Sequence, residues 1–205
     1  MARPSGLLEA PTHETKARLL DAGLELFLAH GYGATGIQDL LDATGIPRGS
    51  FYHHFANKED FALQVIDRYA AGVHDALDAA LSDRRRSPLN RIRGFFGGVR
   101  ESYASEGYLG CLLGALGQEL ATTNRVFQLK IESCIQAISL RLASCLEEAR
   151  QRDELASEAD PRQLADIIVN CWEGAALRSR LLRDPAPLDA VLDFCMSTVR
   201  PAHHR

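Results

Sequence analysis

Residues 36–55 read GIQDLLDATGIPRGSFYHHF, and this stretch decides the fold. Two short helical segments flank Thr44, Gly45 and Ile46, and Pro47 can begin the second helix because a first helical residue needs no amide hydrogen. Two short helices joined by a tight turn form a helix-turn-helix. From spacing alone two interpretations stay open: a DNA-binding unit, or a polar helix that faces solvent within a bundle.

The second short helix has one apolar and one polar side. Phe51 and Phe55 are four residues apart and form the apolar side. At about 100° per residue, the other side carries small, hydrogen-bonding or ring side chains, namely Gly49, Ser50, Tyr52 and His53. Such side chains suit the floor and phosphate walls of a DNA major groove. His53 and His54 are adjacent and point about 100° apart, so we predict no metal site there.

Apolar residues recur at three and four positions along most of the remaining chain, which indicates helices throughout. In the first segment this pattern is carried by Ala17, Leu20, Leu24 and Phe27. Since no strand alternation is visible, we predict an all-α fold of about nine helices. Cap and breaker residues place them at roughly 13–30, 37–43, 48–54, 58–82, 88–106, 109–119, 124–151, 161–182 and 187–199. Loose ends are expected at 1–10 and 201–205.

The charge balance excludes a basic surface over the whole molecule. The 205 residues include 23 Lys and Arg against 27 Asp and Glu, a net charge of −4. Any DNA binding must therefore come from a local patch. The window 46–58 fits this requirement, because it holds Arg48, His53, His54 and Lys58 and no acidic residue.

Composition and cysteine spacing place the chain among soluble proteins of a reducing compartment. Hydrophobic residues make up 46% and charged residues 24%, which is ordinary for a globular protein. No apolar run approaches the roughly 18–20 residues of a membrane helix, and no signal peptide is visible. The five cysteines contain no CxxC pair, which argues against a disulfide framework or zinc site. We expect free thiols, a cytoplasmic location, no membrane contact and no cofactor.

The stretch from His13 to Asp67 resembles the DNA-binding domain of TetR-type transcriptional regulators. The matching blocks are LLDAGLELFLAHGYGATGIQDLL (19–41) and GIPRGSFYHHFANKEDF (45–61). The resemblance implies a DNA-binding domain at 13–73, with its helix-turn-helix at about 36–55, and an effector-binding and dimerisation domain at 74–200. It implies a homodimer that represses from a palindromic double-stranded DNA operator and is released by a small molecule. The implied DNA contacts are Thr35, Gln38, Arg48, Gly49, Ser50, Tyr52, His53 and Lys58.

A second block, Gly107 to Leu120, reads GYLGCLLGALGQEL. Gly110, Gly114 and Gly117 recur at helical spacing on one face, although glycine destabilises a helix interior by about 1 kcal/mol relative to alanine. Their recurrence indicates close helix packing or a ligand against bare backbone. Three roles stay open for Cys111: a reactive sensing thiol, a non-covalent ligand contact, or a small core residue.

This block and WEGAALRSR (172–180) resemble TetR-type regulators that respond to reactive electrophiles or to acrylate-like unsaturated compounds. In electrophile-sensing members a cysteine matching Cys111 is the reactive thiol, and a lysine stands where this chain has Arg180. Arginine favours a thiolate electrostatically but cannot form the same covalent product. If Cys111 is a sensing thiolate, its pKa should lie below that of a free cysteine. The expected effector contacts are Cys111, Gln118, Trp172 and Arg180.

Two other functions remain to be weighed against a ligand-responsive repressor. The chain is not expected to be an enzyme, because a Cys111 nucleophile lacks an evident histidine base. A dimerisation module without DNA binding is opposed by the intact residues of the second short helix. For the dimer we expect the last two helices to pair with their copies. Leu164, Ile168, Leu188, Val191 and Leu192 offer apolar surface there, and the alternative for some of them is to face the protomer's own core. We expect the effector to act by tilting the helix 58–82.

Overall fold

The computed structural model describes residues 9–198, and every regular element among them is a helix. The nine helices are α1 (Glu9–His30), α2 (Ile37–Thr44), α3 (Arg48–His54), α4 (Lys58–Leu81), α5 (Pro88–Ser105), α6 (Leu112–Leu120), α7 (Arg125–Gln151), α8 (Pro161–Leu182) and α9 (Ala186–Thr198). The predicted all-α class is confirmed. The first helix begins earlier than predicted and includes residues 9 and 10. The loose ends expected at 1–8 and 201–205, and residues 199–200 of the last helix and domain, lie outside the described residues.

Helices α1 to α3 and the first half of α4 enclose one hydrophobic core. At its centre four fully buried rings, Phe27, Phe51, Phe55 and Phe61, contact one another at centroid distances of 4.9–5.9 Å. Each tilted or edge-on aromatic pair adds about 0.5–1.5 kcal/mol beyond its area burial. Gly23 permits the approach, because a Cβ there would lie 2.4 Å from Phe61 Cζ.

Local caps fix the helix-turn-helix. Gly45 adopts φ +66° and donates its N–H to the Leu41 carbonyl at 2.8 Å, a left-handed cap that glycine adopts without steric cost. Arg18 of α1 donates to the carbonyl of Thr44 at 2.9 Å and anchors α2 from outside. The Asn57 side chain accepts the N–H of Asp60 at 2.9 Å and starts α4. Helix α3 is thereby held at both ends.

A second core joins the C-terminal half of α4 to α5, α7, α8 and α9, and contains Leu77, Leu142 and Trp172. Helix α6 and the first turns of α7 belong instead to the N-terminal core, where Leu112, Leu116 and Phe127 are completely buried. The two cores therefore meet along α4 and at α6. A division of the chain at residue 73 stays a prediction.

Helix α6 starts three residues later than predicted. Gly110 lies outside it with φ +83°, at the end of a turn in which Gly107 and Tyr108 also have positive φ. The expectation of three glycines on one helical face is therefore wrong for Gly110. The turn brings Gly110 against α8, where an added Cβ would lie 3.6 Å from the Ala176 carbonyl oxygen. Cys111 is consequently the N-cap residue of α6 and not an interior one.

Candidate nucleic-acid interface and internal cleft

Helix α3 exposes the residues that the sequence predicts for DNA recognition. Arg48, Gly49, Tyr52 and His53 are exposed, and Ser50 is half-buried. Tyr52 has 48% of its surface exposed, which is unusual for a large ring. The same helix buries Phe51 completely, so its orientation is set by the core while its polar side faces outward. DNA contact by these residues stays a prediction.

Thr35 lies before α2 and Gln38 lies within it, and of these two predicted DNA contacts only Gln38 is exposed. Gln38 is exposed, and its Nε2 donates to Asp42 Oδ1 at 2.8 Å. Thr35 is only 2% exposed, and its hydroxyl donates to the Gly31 carbonyl at 2.8 Å. The Thr35 side chain is therefore directed into the protein in this structure, and its contact with DNA stays a prediction. The hydroxyl satisfies a backbone acceptor that the connection between α1 and α2 leaves free.

Lys58 also has a different position from the one predicted. Its Nζ donates to the Tyr32 carbonyl at 2.6 Å and lies 4.1 Å from the centroid of the Tyr32 ring. The prediction of an ammonium group directed at a phosphate is thus not met in this structure. Desolvation lowers the pKa of Lys58, while Glu119 and Asp39 oppose this shift. Lys58 joins α4 to the turn after α1.

Glu119 of α6 was not selected by sequence reasoning, yet it holds the same turn. Its two carboxylate oxygens accept the backbone N–H groups of Tyr32 at 2.8 Å and Gly33 at 2.5 Å. A carboxylate shared by two amide donors makes charge-assisted hydrogen bonds, which are about twice as strong as neutral ones. The two partners are more than 80 residues apart in the chain, and local sequence carries no signal of such a contact. We call Glu119 and its two amide donors the α6 clamp.

A cleft of about 300 Å³ lies between α1, α6 and α8. Three of the four predicted effector residues line it, namely Cys111, Gln118 and Arg180. Glu119 and Gly31 also line it, so the cleft reaches the α6 clamp. The predicted effector residues and the connection to the N-terminal unit are therefore parts of one concave surface.

Trp172, the fourth predicted effector residue, lines a different space. It is 5% exposed, its ring centroid lies 4.6 Å from that of Phe96, and it borders a cavity of about 40 Å³. Tyr69, Tyr103, Cys111 and Glu173 also line this cavity. Cys111 and Glu173 separate it from the cleft, since they line both. A groove of about 1140 Å³ beside α4 and α5 shares Tyr69 and Tyr103 with the cavity.

The surroundings of the Cys111 thiol favour its protonated form over the thiolate. It accepts a hydrogen bond from the Tyr69 hydroxyl at 3.5 Å, and Glu173 lines the same cleft and cavity beside it. Burial, reinforced by the charge of Glu173, raises the pKa of Cys111 to about 12. Arg180 does not offset this, because its guanidinium donates to the Leu109 carbonyl at 3.2 Å. The expectation of a low-pKa thiolate beside Arg180 is therefore wrong in this structure.

Burial also raises the pKa of Glu173, of Tyr69 and of Tyr103. All five cysteines are free thiols, as expected. Among these cysteines, Cys134 and Cys145 are buried and Cys171 is half-buried. In the part of the chain that the structure describes, no three metal-ligating side chains come together and no helix is long and apolar enough to cross a bilayer.

The last two helices expose a different apolar set from the one predicted for dimerisation. Ile168, Leu188 and Leu192 are buried in the protomer's own core, and Leu164 and Val191 are partly buried. The prediction that they form the intersubunit surface is wrong for the three buried residues. The large apolar side chains exposed on α8 and α9 are Ile167, Leu177, Leu181, Leu182 and Phe194, with exposed fractions of 43–67%. We call these five residues the α8–α9 face.

The sequence of this chain matches known families over both its N-terminal helices and its C-terminal helices. Residues 19–65 match the family described as bacterial regulatory proteins, tetR family, and residues 88–195 match the tetracyclin repressor-like C-terminal domain. The transcriptional regulator AcuR of Cereibacter sphaeroides is 37% identical over 188 residues, which cover 91% of this chain and 84% of AcuR. The transcriptional repressor NemR of Escherichia coli K12 is 28% identical over 181 residues, or 88% of this chain and 91% of NemR.

Solved structures extend the likeness to the whole fold. The regulatory protein TetR from Rhodobacter sphaeroides aligns with a TM-score of 0.86 at 35% identity, covering 89% of this chain and 97% of its own. The reduced form of E. coli NemR gives a TM-score of 0.84 at 27% identity, covering 93% and 100%. These relatives are regulators, which is consistent with a non-enzymatic role. The chain therefore belongs to the tetR family of bacterial regulatory proteins and is a DNA-binding transcriptional repressor of that type.

Proposed function

We propose that this repressor is a homodimer that binds a palindromic operator and is released by a small electrophilic or unsaturated molecule. One observation carries the proposal: a single cleft contains the Cys111 thiol and the Glu119 carboxylate that holds the turn before α2. A ligand in this cleft contacts a reactive group and a part of the DNA-binding unit at once. The protein would act in the cytoplasm, where bacterial DNA is.

DNA binding is assigned to the exposed side of α3. Arg48 and Tyr52 suit phosphate contact, while Gly49 and Ser50 leave room for close approach to base edges. Because the net charge of the chain is negative, binding depends on this local patch and should fall steeply with salt. Gln38 at the exposed side of α2 would add a backbone contact.

Dimerisation is assigned to the α8–α9 face. Five exposed aliphatic or aromatic side chains on two adjacent helices form an apolar surface that a monomer rarely leaves in water. A two-fold contact through this face would present two copies of α3 to two half-sites of a palindrome. Leu177 and Leu181 also line the cleft, so the partner would approach the effector site.

Release is assigned to the α6 clamp. Helix α6 carries the cleft residues Gln118 and Glu119 and packs in the core of the DNA-binding unit. A ligand that shifts α6 would withdraw Glu119 from the N–H groups of Tyr32 and Gly33. The expected tilt of α4 would follow, because Lys58 links the start of α4 to the same turn. The ligand must bind the DNA-incompetent form more tightly, or it shifts nothing.

The size and polarity of the cleft favour a small carbonyl compound. A volume of about 300 Å³ is at the lower end for ligand pockets. Gln118 and Arg180 line it and have N–H groups that can bind a carbonyl or carboxylate oxygen. Cys111 supplies the nucleophile for an unsaturated or otherwise electrophilic carbon. Release by such a compound can be measured separately from DNA binding.

Fluorescence anisotropy tests the proposed function with the DNA upstream of the protein's own gene. Wild-type protein should bind this DNA, and methyl vinyl ketone, a small unsaturated ketone, should release it. Cys111→Ser should bind equally and should not be released. If Cys111→Ser is released as readily as wild type, covalent sensing at this residue is wrong, and a reversible ligand in the cleft is the remaining mechanism. If wild-type protein does not bind the DNA and other intergenic fragments also fail, the operator assignment is wrong.

A further inference from the structure

The Cys111 thiol has an acidic neighbour where a reactive cysteine usually has a basic one. Reactive cysteines typically lie beside a cation or a helix N-terminus, which stabilises the thiolate. Cys111 does precede α6, but burial raises the pKa of its thiol, and the neighbouring carboxylate of Glu173 adds to the same effect. A thiol with a pKa of about 12 is almost entirely neutral at physiological pH. Reaction at Cys111 therefore needs a route for its proton.

We propose that Glu173 is the proton acceptor through which the neutral Cys111 thiol adds to an α,β-unsaturated aldehyde or ketone. This inference rests on the proposed function and assigns a role within the same cleft. The two side chains line both the cleft and the inner cavity, and a Cβ added at Gly114 would lie 2.4 Å from Glu173 Oε2 and 3.9 Å from Cys111 Cβ, so the acceptor is beside the thiol before the ligand arrives. General base catalysis requires this proximity first.

The step balances without an oxidant or a metal. The Cys111 sulfur forms a bond to the β-carbon of the ligand while the S–H proton passes to a Glu173 oxygen. The carbon–carbon π bond breaks and its electron pair moves to the α-carbon and carbonyl oxygen as an enolate. Glu173 then returns the proton to the α-carbon, which leaves a saturated thioether and a regenerated carboxylate.

The surroundings of Glu173 are built around its carboxylate. A Cβ at Gly114 would lie 2.4 Å from Glu173 Oε2, so the glycine provides space for this side chain at the first turn of α6. Glu173 lines both the cleft and the inner cavity, next to Cys111 in each. Burial raises the pKa of Glu173, which makes the carboxylate a stronger base than an exposed glutamate. Gln118 and Arg180 on the cleft wall can donate to the enolate oxygen.

A Glu173 that suppressed the reaction of Cys111 would predict the opposite change in reaction rate when its charge is removed. If its charge only suppressed the thiolate, removing the charge would lower the pKa of Cys111 and accelerate the reaction. If it accepts the proton, removing the charge slows the reaction. Glu173→Gln keeps the shape and the hydrogen-bonding capacity of the side chain but abolishes its basicity. The sign of the rate change in this variant therefore separates the two roles.

The experiment follows alkylation of the full-length protein by methyl vinyl ketone with peptide-resolved mass spectrometry at pH 7. The adduct at Cys111 should form about 100-fold more slowly in Glu173→Gln than in wild type, the low end for a general base. Modification of Cys171 is the internal reference, and Glu132→Gln, an exposed acid on α7, is the matched control. An equal or faster rate in Glu173→Gln overturns the inference. Unchanged circular dichroism and operator binding show that the variant is folded.

The pH dependence gives a second, independent readout. The wild-type rate should level off once Glu173 is ionised, whereas in Glu173→Gln the rate should rise about tenfold per pH unit with the thiolate fraction. The other titratable or charged groups facing the pair or lining the cleft are Tyr69 of α4, Tyr103 of α5, His30 of α1, Glu119 of α6 and Arg180 of α8. Repeating the profile in His30→Gln separates the histidine from Glu173. Parallel slopes in wild type and Glu173→Gln contradict the inference.

Operator release keeps this inference distinct from the proposed function. If methyl vinyl ketone releases DNA from wild type and from Glu173→Gln at equal adduct rates, the proposed function stands and the role of Glu173 is wrong. If no Cys111 adduct forms in wild type, both the covalent route and the role of Glu173 are wrong. DNA binding by α3 is unaffected by either result.

Discussion

Gly114 and Gly117 are three residues apart on α6, yet an added methyl group meets different surroundings at each. At Gly117 the nearest atom is Ile131 Cγ2 at 3.7 Å, an ordinary contact. Gly117→Ala should therefore raise the free energy of unfolding by up to about 1 kcal/mol through helix propensity. Gly114→Ala should give little or no gain, because its Cβ displaces the Glu173 carboxylate.

The comparison uses chemical denaturation of both variants beside wild type. Gly114→Ala should also slow the reaction of Cys111 with methyl vinyl ketone, while Gly117→Ala should leave it unchanged. If both variants gain equal stability and react as wild type does, the space at Gly114 has no relation to Glu173.

Substitutions of Lys58 and Arg48 should distinguish a cation that stabilises the fold from one that binds DNA. Lys58→Met keeps the apolar stem but loses the hydrogen bond to the Tyr32 carbonyl and the ring contact. It should lower the free energy of unfolding by about 1–3 kcal/mol and leave the salt dependence of operator binding unchanged. Arg48→Ala should leave stability unchanged and reduce the slope of log K against log salt by about one.

Thermal unfolding and salt titrations of operator affinity measure the two effects. A reduced salt slope in Lys58→Met would mean that Lys58 swings to a phosphate on binding, as the sequence alone predicts. Loss of stability in Arg48→Ala would instead assign Arg48 to the fold.

Residue-level prediction succeeded where the local pattern determines the environment. The exposed positions of α3 follow from the four-residue spacing of Phe51 and Phe55. The resemblance assigns Lys58 to DNA, and the local pattern gives no sign that its ammonium group contacts the carbonyl of a residue 26 positions earlier. The pKa of Cys111 depends on Glu173, a residue of another helix. Contacts between distant segments decide these cases.

At the scale of elements, the proposed release begins at α6 and continues to α4. The α6 clamp predicts that Glu119→Gln weakens the hold on the turn after α1, since an amide oxygen accepts less strongly than a carboxylate. Operator affinity should fall severalfold, and the remaining binding should respond less to the ligand. Glu132→Gln is the matched control on an exposed helix surface.

Hydrogen exchange of residues 31–35 measures the clamp directly, and anisotropy with and without methyl vinyl ketone measures coupling. Faster exchange in Glu119→Gln together with a reduced ligand response is the expected result. A variant with wild-type exchange and full release would place the coupling entirely in α4.

The apolar pattern of a helix predicts only some of its buried residues and only approximately where it begins. In α1 the predicted apolar stripe includes Leu20 and Leu24, which are only partly buried, while Leu19 and Gly23 are buried. The stripe is rotated because Phe61 of α4 packs against Gly23, a residue that hydrophobicity does not mark. The predicted start of α6 is three residues too early for a similar reason. The residue spacing around Gly110 is compatible with a helix, although the backbone there forms a left-handed turn.

At the scale of the whole molecule, the α8–α9 face predicts the assembly. Phe194→Glu places a charge at a position where the ring is 66% exposed, whereas the next two residues, Cys195 and Met196, are buried. Sedimentation should show a dimer for wild type and a monomer for this variant at micromolar concentration, with loss of operator binding and unchanged helix content. Leu129→Glu, at a 54% exposed position on α7, should remain dimeric. A monomeric wild type, or a Leu129→Glu monomer, contradicts the assignment.

The all-α class and the N-terminal helix-turn-helix could be predicted because periodicity and turn residues act locally. The α8–α9 face could not be predicted, because the buried and exposed sides of α8 and α9 are both apolar. Leu188 and Leu181 look alike in the sequence, yet one is fully buried and the other is 67% exposed. Only the protomer's own packing distinguishes them.

Trp172 gives the molecule a built-in optical reporter. It is the only tryptophan of the chain, and it borders the cavity that Cys111 separates from the cleft. Emission excited at the red edge of protein absorption therefore originates from one indole, and its colour and intensity respond to the polarity of a single location. An event at Cys111 can thus be timed in stopped flow without an attached dye, while a label on the operator reports DNA dissociation in the same solution. The order of the two signals tells whether chemistry precedes release.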